Sequence, residues 1–208
     1  MSDGKTQSHA ARPTRNLAIL LFDEVEVLDF CGPFEVFSVA CQLTDPRAFN
    51  VYTIAETMKP VLARNGLSVN PHCRLGDALE PQIVLVPGGQ GTRREMHNAA
   101  LIEWIRATAK TGELVLSVCT GALLLAKAGL LDGLEATTHR VALDLLRQVA
   151  PRTIVHADRR FVDNGRIICS AGIAAGIDMS LHVVERLLGS EIATKTAQQM
   201  EYPWRPSG

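Results

Sequence analysis

The feature that most constrains the fold of this chain is a pair of short, wholly apolar runs, each followed by a glycine-containing turn. Ile83-Val84-Leu85-Val86 ends at Pro87-Gly88-Gly89, and residues 114–118 end at Cys119-Thr120-Gly121. Strands that are apolar on both faces are typical of a parallel sheet that helices cover on either side. We therefore predict an α/β fold with a mostly parallel sheet and helices on both faces.

The rest of the chain carries strand and helix patterns at the spacing that such a fold requires. Pro33 suits the first position of a helix because its ring fixes φ. Asn65-Gly66 predicts a hairpin over residues 61–69, and Asp163-Asn164-Gly165 separates another β-prone pair. The predicted strands cover residues 17–22, 49–55, 83–86 and 114–118. One predicted helix begins at residue 33, and the others cover residues 99–110, 122–131, 141–149 and 175–188. Asp132-Gly133 is expected to close the helix over residues 122–131.

The charge balance bears on the class of partner. Hydrophobic residues make up 47% of the sequence and charged residues 21%, an ordinary globular composition. Lys plus Arg total 21 and Asp plus Glu total 22, so no basic excess indicates a nucleic-acid partner. We expect a small-molecule partner and no nucleic acid.

The amino-terminal segment bears on location. Residues 1–16 are polar and lack the apolar stretch of a secretory signal. No apolar run approaches the ~18 residues that cross a bilayer. We expect residues 1–16 to be a flexible leader, residues 17–208 to form one domain, and the protein to be cytoplasmic with no membrane partner.

Cysteine usage points to one reactive thiol. The five cysteines are widely spaced and never form Cys-x-x-Cys, so neither a disulfide scaffold nor a zinc site is expected. Cys119 alone lies between a predicted buried strand and a predicted helix, where backbone N–H groups and the helix dipole should lower the pKa of its thiol. The alternative is that Cys119 is a small buried hydrophobic residue, which is the interpretation we give Cys31, Cys41, Cys73 and Cys169.

Four further residues are candidates for the same site. Gly88 and Gly89 expose bare backbone N–H groups that could stabilise a developing anion, although an ordinary glycine turn has the same pattern. Asp29 lies among apolar neighbours just before the predicted helix, where burial would raise its pKa and let it share a proton with a thiolate; the alternative is a solvated carboxylate at a helix N-terminus. His139 is a candidate neighbour of the cysteine or a hydrogen-bonded structural residue.

The order and spacing of several motifs resemble the ThiJ/PfpI superfamily. The motifs are Leu21-Phe22-Asp23-Glu24-Val25, Gly32-Pro33-Phe34-Glu35-Val36-Phe37, Pro87-Gly88-Gly89, Val118-Cys119-Thr120-Gly121-Ala122, Ala128-Gly129-Leu130-Leu131-Asp132-Gly133, Ala136-Thr137-Thr138-His139 and Ser170-Ala171-Gly172-Ile173-Ala174-Ala175-Gly176-Ile177-Asp178. The resemblance implies a flavodoxin-like three-layer sandwich that forms a homodimer. It also implies a nucleophile elbow at Cys119 and an acidic partner from the first strand-helix connection, which falls on Asp29.

Within that superfamily the motifs are most similar to isonitrile hydratases and to the ligand domains of AraC-type regulators, which carry Cys-Thr-Gly and Ala-Thr-Thr-His. Thr120 follows the cysteine, where protease and glyoxalase-like branches often have His, so a peptidase is not favoured. Arg140 stands where hydratase relatives commonly have Trp, so the pocket and its substrate differ. An AraC-type regulator would continue into a helix-turn-helix module, which we do not expect after Gly208.

The leading hypothesis is a hydratase or lyase that converts an isonitrile to an N-substituted formamide. Cys119 would attack the terminal carbon and Asp29 would carry the proton, with Gly88, Gly89, Thr120 and His139 binding substrate or polar intermediate. No metal or organic cofactor is required. The alternatives are a small-molecule sensor that performs no turnover and a glyoxalase or deglycase-like activity on reactive carbonyls. Arg140 near the pocket mouth would favour a polar or anionic substituent.

Overall fold

The structure is a computed structural model and describes residues 13–205. The strands and helices alternate along most of the chain, as the apolar runs predicted. In chain order they are β1 (Arg15–Leu20), α1 (Val27–Gln42), β2 (Phe49–Ala55), β3 (Val61–Leu62), β4 (Ser68–Val69), β5 (Cys73–Arg74), β6 (Ile83–Val86), α2 (Thr92–Glu95), α3 (Ala99–Thr111), β7 (Leu114–Val118), α4 (Gly121–Lys127), β8 (Glu135–Ala136), α5 (Leu143–Val149), β9 (Ile154–Val155), β10 (Phe161–Asp163), β11 (Ile167–Ser170), α6 (Ala175–Leu188) and α7 (Ser190–Gln199).

A seven-stranded sheet organises the molecule, in the order β10-β11-β7-β6-β1-β2-β5. All neighbouring strands in it are parallel except β10, which pairs antiparallel with β11. Helices α1, α6 and α7 pack against one another, and α4 packs against α2, α3 and α5. The two groups cover opposite faces, so the flavodoxin-like three-layer architecture is confirmed.

The central strands are the part of the fold that the sequence predicted most closely. β2, β6, β7 and α6 have the predicted bounds, and every residue of β6 and β7 is buried. Both hairpins also form, β3 with β4 and β10 with β11. Full burial of the central strands leaves their carboxyl ends as the place where polar groups gather, which is where ligands bind in such sheets.

The amino-terminal elements differ from the prediction. β1 begins at Arg15, two residues before the expected start, and residues 1–12 of the expected leader lie outside the described residues. Helix α1 begins at Val27, so Pro33 lies inside the helix and not at its first position. The helix tolerates Pro33 in its second turn at the loss of one backbone hydrogen bond. Asp29 therefore lies in the first turn of α1, not before it.

Helix α4 ends earlier than its apolar pattern predicted. It ends at Lys127, because Gly129 adopts a left-handed conformation with φ of +75°. The N–H of Leu130 then donates to the carbonyl of Leu125 at 3.0 Å, which terminates the helix. The expected end at Gly133 is wrong because the chain leaves the helix at Gly129 and forms turns and bends up to Leu134. None of the helices in residues 13–205 is long and apolar enough to cross a membrane.

Candidate active site

Cys119 occupies a strained turn between β7 and α4. Its φ is +57°, a left-handed conformation that non-glycine residues seldom adopt. Its N–H donates to the carbonyl of Ser170 at 3.1 Å, and its carbonyl accepts from the hydroxyl of Thr138 at 2.7 Å. Two neighbouring segments thus hold the backbone of Cys119 on both sides, and the buried thiol has a fixed position at the carboxyl end of the sheet.

Asp29 lies in the same buried space. Its Oδ2 accepts the N–H of Gly88 at 3.0 Å, and the whole residue is inaccessible to solvent. Burial raises the pKa of Asp29 to about 7, while hydrogen bonds from Cys119 and Gly88 and the charge of Glu26 act as smaller influences. Oδ1 has no hydrogen-bond partner within residues 13–205, and the Cys119 thiol lies close enough to Asp29 to lower its pKa. The apolar neighbours of Asp29 in the sequence had indicated that this residue is buried and that its pKa is raised.

Contact between two loops positions Asp29. The N–H of Glu26 donates to the carbonyl of Gly88 at 2.9 Å, and Val25 forms a β-bridge with Gly89. Gly89 has φ of +123°, and a Cβ there would lie 2.3 Å from the carbonyl oxygen of Glu24. Only glycine allows this close approach. The glycine loop after β6 therefore holds the start of α1, and with it Asp29, against the elbow.

The ionisation of Cys119 differs from the sequence-based expectation. Burial is the largest influence and the Asp29 charge the next, and both raise the pKa of the thiol above its ordinary value. The N–H and hydroxyl of Thr120 act in the opposite direction but are outweighed. The expected lowering of the thiol pKa is wrong, because burial and the charge of Asp29 outweigh the effect of the helix N-terminus. Cys119 and Asp29 together are an ionisable pair in which a proton on one stabilises charge on the other.

The glycine N–H groups are not free donors. That of Gly88 is bound by Asp29, and that of Gly89 donates to the hydroxyl of Thr120 at 3.0 Å. An oxyanion hole made by these two N–H groups, as the glycine turn suggested, therefore does not fit the resting structure. Their observed contacts orient Asp29 and Thr120. The N–H of Thr120, which interacts with Cys119, is the backbone donor at the elbow.

A buried hydroxyl network supports this arrangement and includes a residue that sequence analysis missed. The hydroxyls of Thr92 and Thr120 both donate to the carbonyl of Gly89, at 2.8 and 3.1 Å. They lie 3.1 Å from each other. Thr92 follows the glycine loop without any distinctive motif, so nothing in the local sequence identified it. The network locks the side chain of Thr120 beside the thiol.

His139 borders the thiol across a glycine, which is one of the two alternatives that the sequence left open. A Cβ on Gly172 would lie 2.4 Å from Cδ2 of His139 and 2.8 Å from Sγ of Cys119. Burial and the charges of Arg140 and Arg93 lower the pKa of His139, so the ring is neutral at physiological pH. Its Nδ1 accepts the N–H of Val141 at 3.4 Å, which assigns the ring proton to Nε2. Gly172, also missed from sequence, keeps the space between ring and thiol open.

The other cysteines have no such surroundings. Cys31 is exposed, and the thiol of Cys41 donates to the carbonyl of Phe49 at 3.0 Å. Complete burial raises the pKa of Cys169 to about 11. Among residues 13–205, no three His, Cys, Asp or Glu side chains are grouped so that they could hold a metal ion.

A cavity of about 720 Å³ lies beside this site but does not include Cys119. Residues after β1 and β2, the hairpin strand β3 and helices α2 and α3 line it, among them Asp23, Glu56, Lys59, Arg94 and Glu95. The thiol itself is buried between the glycine loop and His139. The side chains around the thiol, not the volume of the neighbouring cavity, identify the candidate active site.

The chain is similar to several known proteins. The DJ-1/PfpI family profile matches residues 15–186. An isonitrile hydratase from Pseudomonas putida is 34% identical over 190 residues, which are 91% of this chain and 79% of that protein. The HTH-type transcriptional regulator GbdR from Pseudomonas aeruginosa is 28% identical over 92% of this chain, which spans only 52% of the regulator. A crystal structure of a ThiJ/PfpI family protein from Pseudomonas syringae superposes with a TM-score of 0.84 at 26% identity, over 100% of this chain and 84% of that one.

Proposed function

The chain belongs to the DJ-1/PfpI family, and from this premise we propose that it is a cysteine-dependent hydratase that converts an isonitrile to an N-substituted formamide. The observation that carries the proposal is the buried pair of Asp29 and Cys119, each of which alters the pKa of the other. A nucleophile and a proton carrier in direct interaction are what this reaction needs. The similarity to an isonitrile hydratase supports the choice of substrate.

The first half of the reaction adds sulfur and hydrogen to one carbon. The Asp29 carboxylate accepts the thiol proton of Cys119, and the thiolate attacks the terminal carbon of the isonitrile. Protonated Asp29 then delivers that proton to the same carbon, which gives a thioimidate bound to Cys119. No proton enters from bulk solvent in this half, because the pair already holds the one that is needed.

The second half is hydrolysis of the thioimidate. Asp29, again a carboxylate, removes a proton from a water molecule that attacks the same carbon, and it passes this proton to the nitrogen. Collapse of the tetrahedral intermediate breaks the carbon–sulfur bond, and Asp29 transfers the remaining hydroxyl proton to the sulfur, which releases the formamide and restores the thiol. Gly88 holds Asp29 in position for both halves, at 3.0 Å from Oδ2. Thr120 and His139 supply donors toward the sulfur and the intermediate.

Formamide production by the purified protein tests the proposal. An alkyl isonitrile should be converted by the intact protein, and Cys119→Ala should lose conversion entirely. Cys31→Ala is the matched control, because it removes an exposed thiol from the middle of α1 and should retain full activity. Binding of isonitriles without any formamide would contradict the proposal.

A second candidate is a small-molecule sensor, which the similarity to a transcriptional regulator supports. A sensor would bind its ligand at the same site without turnover, so the formamide assay separates a sensor from a hydratase. Consumption of methylglyoxal with dependence on Cys119 would instead favour a glyoxalase or deglycase-like activity. The homodimer, the cytoplasmic location and the absence of a nucleic-acid partner stay predictions from the sequence.

A further inference from the structure

Arg93, which sequence analysis did not single out, is hydrogen-bonded to the hydroxyl network beside the thiol. Its Nη1 donates to the hydroxyl of Thr92 at 3.1 Å and to the carbonyl of Gly89 at 3.3 Å. The Thr92 hydroxyl in turn lies 3.1 Å from that of Thr120, the residue after Cys119. One nitrogen of the guanidinium is therefore fixed to the network that surrounds the thiol.

The opposite edge of the same guanidinium is unused. Within residues 13–205, neither Nε nor Nη2 of Arg93 donates a hydrogen bond, and no carboxylate lies within ion-pair distance of it. The neighbouring Arg94 differs, since it pairs with Glu95 at 2.6 Å and donates to the carbonyl of Asp23. A guanidinium edge with two parallel N–H groups matches the two oxygens of a carboxylate.

The charges around His139 favour an anion near this residue. Arg93 and Arg140 both act on His139, which borders Cys119 across Gly172. Glu26 is the acidic group that acts on the same ring, and its influence is smaller than that of either arginine. Arg140 is exposed, whereas Arg93 is half-buried and tethered. Arg93 is thus the cation with a defined position relative to the thiol.

We propose that the free edge of Arg93 binds a carboxylate on the substrate, so that this protein acts on small carboxylate-bearing compounds in preference to uncharged ones. The choice of an isonitrile as the reactive group rests on the proposed function, whereas the contact between Arg93 and a carboxylate does not. Arg93 is then a specificity-determining residue that binds the end of the substrate remote from the reacting carbon.

Isocyanoacetate and its methyl ester test the proposal as a matched pair of substrates. The intact protein should show a kcat/KM for the acid at least about tenfold above that for the ester, because a charge-assisted bidentate contact is worth about that factor or more. Arg93→Gln should reduce the acid-to-ester ratio by about 10- to 100-fold, mostly through KM. Arg94→Gln removes the same charge from the adjacent residue and should leave the ratio unchanged. A ratio that is the same in the intact protein and Arg93→Gln would overturn the inference.

A binding measurement keeps the inference separate from the reaction. N-formylglycine, the carboxylate-bearing product, should slow alkylation of Cys119 at a concentration at least about tenfold lower than its methyl ester does. Arg93→Gln should remove this difference. If neither isonitrile is converted but the difference in protection is present, the reaction fails and the carboxylate site stands. Equal protection by the acid and the ester would refute the carboxylate site even in an active enzyme.

Discussion

In the proposed mechanism, the chemistry is concentrated in one pair of buried side chains, Asp29 and Cys119. Burial raises the pKa of both groups, the charge of Asp29 raises that of Cys119 further, and the thiol of Cys119 lowers that of Asp29. We therefore expect the reactive thiolate to form when Asp29 takes up the proton, not through the helix N-terminus alone.

Asp29→Asn should accelerate alkylation of Cys119 and should nearly abolish formamide production. Removal of the carboxylate charge lowers the pKa of the thiol, so alkylation of Cys119 by iodoacetamide at neutral pH should accelerate, by about tenfold for each unit of the fall. Formamide production should be nearly lost, because the amide cannot carry the proton. Peptide mapping by mass spectrometry measures the first effect. Asp144→Asn, on the exposed surface of α5, is the control and should change neither; slower alkylation in Asp29→Asn would contradict the coupling.

The pH dependence of turnover follows from the same pair. Because the pKa of Asp29 is about 7, kcat/KM should rise as pH increases through about 7, where the carboxylate that accepts the thiol proton appears. Below that range both groups are protonated, and the proton of the Cys119 thiol has no acceptor. Steady-state assays across pH 5 to about 9 measure the rise. A rise centred near pH 4 would mean that Asp29 is solvated and does not interact with Cys119.

Residue-level prediction from the sequence succeeded where the local pattern carried the information. Cys119 and Asp29 were identifiable because each lies at a strand-helix junction with unusual neighbours. Thr92, Gly172 and Arg93 were not, because they reach the thiol only through the order in which β11, β7 and β6 neighbour one another. Strand order is a property of the whole chain that no short segment encodes.

At the scale of secondary-structure elements, close backbone packing sets the position of the elbow. A Cβ on Gly121, at the start of α4, would lie 2.0 Å from the carbonyl oxygen of Val86 in β6. Helix α4 therefore approaches the sheet at a distance that only glycine permits. This contact fixes the direction of the helix N-terminus and hence the direction of the thiol.

Gly121→Ala should destabilise the protein far more than Gly129→Ala, although both lie at the ends of α4. Gly121→Ala creates a clash with backbone and should reduce the free energy of unfolding by about 3 kcal/mol or more. Gly129 has φ of +75° with open space around it, so Gly129→Ala should cost only about 1 to 2 kcal/mol. Urea denaturation measures both. Equal losses would show that α4 can move away from β6 without penalty.

Element boundaries were predicted well only where one pattern dominated. The bounds of β6, β7 and α6 followed from continuous burial or from a single apolar stripe. The start of α1 did not, because Pro33 resembles a helix start and yet lies in the second turn. The end of α4 was obscured in the same way, since buried residues continue past the glycine that terminates it. Local propensity and tertiary packing give the same answer in the first group and different answers in the second.

For the molecule as a whole, the buried carboxyl is a source of instability. The pKa of Asp29 is about 7 in the folded state and about 4 in an unfolded chain. The folded protein therefore binds the proton of Asp29 more tightly than the unfolded chain does. The contribution of Asp29 to the free energy of unfolding is greatest below about pH 4 and is lost as pH rises through about 7. Above that range the charged form must be buried, at a cost on the order of 4 kcal/mol.

Asp29→Asn should consequently stabilise the protein in a pH-dependent way. At pH 8 its melting temperature should exceed that of the intact protein by several degrees, since Asn keeps an acceptor for Gly88 and has no charge to bury. The difference should shrink as pH is lowered toward about 4. Thermal unfolding followed by circular dichroism measures it. A difference that is independent of pH, or a less stable variant at pH 8, would show that the charged form of Asp29 carries no burial penalty.

The overall architecture was the most predictable level. The order and spacing of the apolar runs and glycine turns specified a parallel sheet with helices on both faces, and the family followed from the same motifs. The substrate was less predictable, because it depends on side chains such as Arg93 that no strand or helix pattern requires. Fold-level similarity is shared by a hydratase and by regulators, so function must be argued from the site.

In the proposed mechanism, Cys119 forms a covalent bond to the carbon of the substrate and Asp29 carries the proton. Rapid acid quenching during turnover of isocyanoacetate, followed by mass spectrometry of the peptide that contains Cys119, detects this bond. A mass increase equal to one isonitrile is expected on that peptide, absent from the peptides of the other cysteines and formed much more slowly in Asp29→Asn. Formamide production at an unchanged rate by Cys119→Ala, with no adduct on the intact protein, would contradict it.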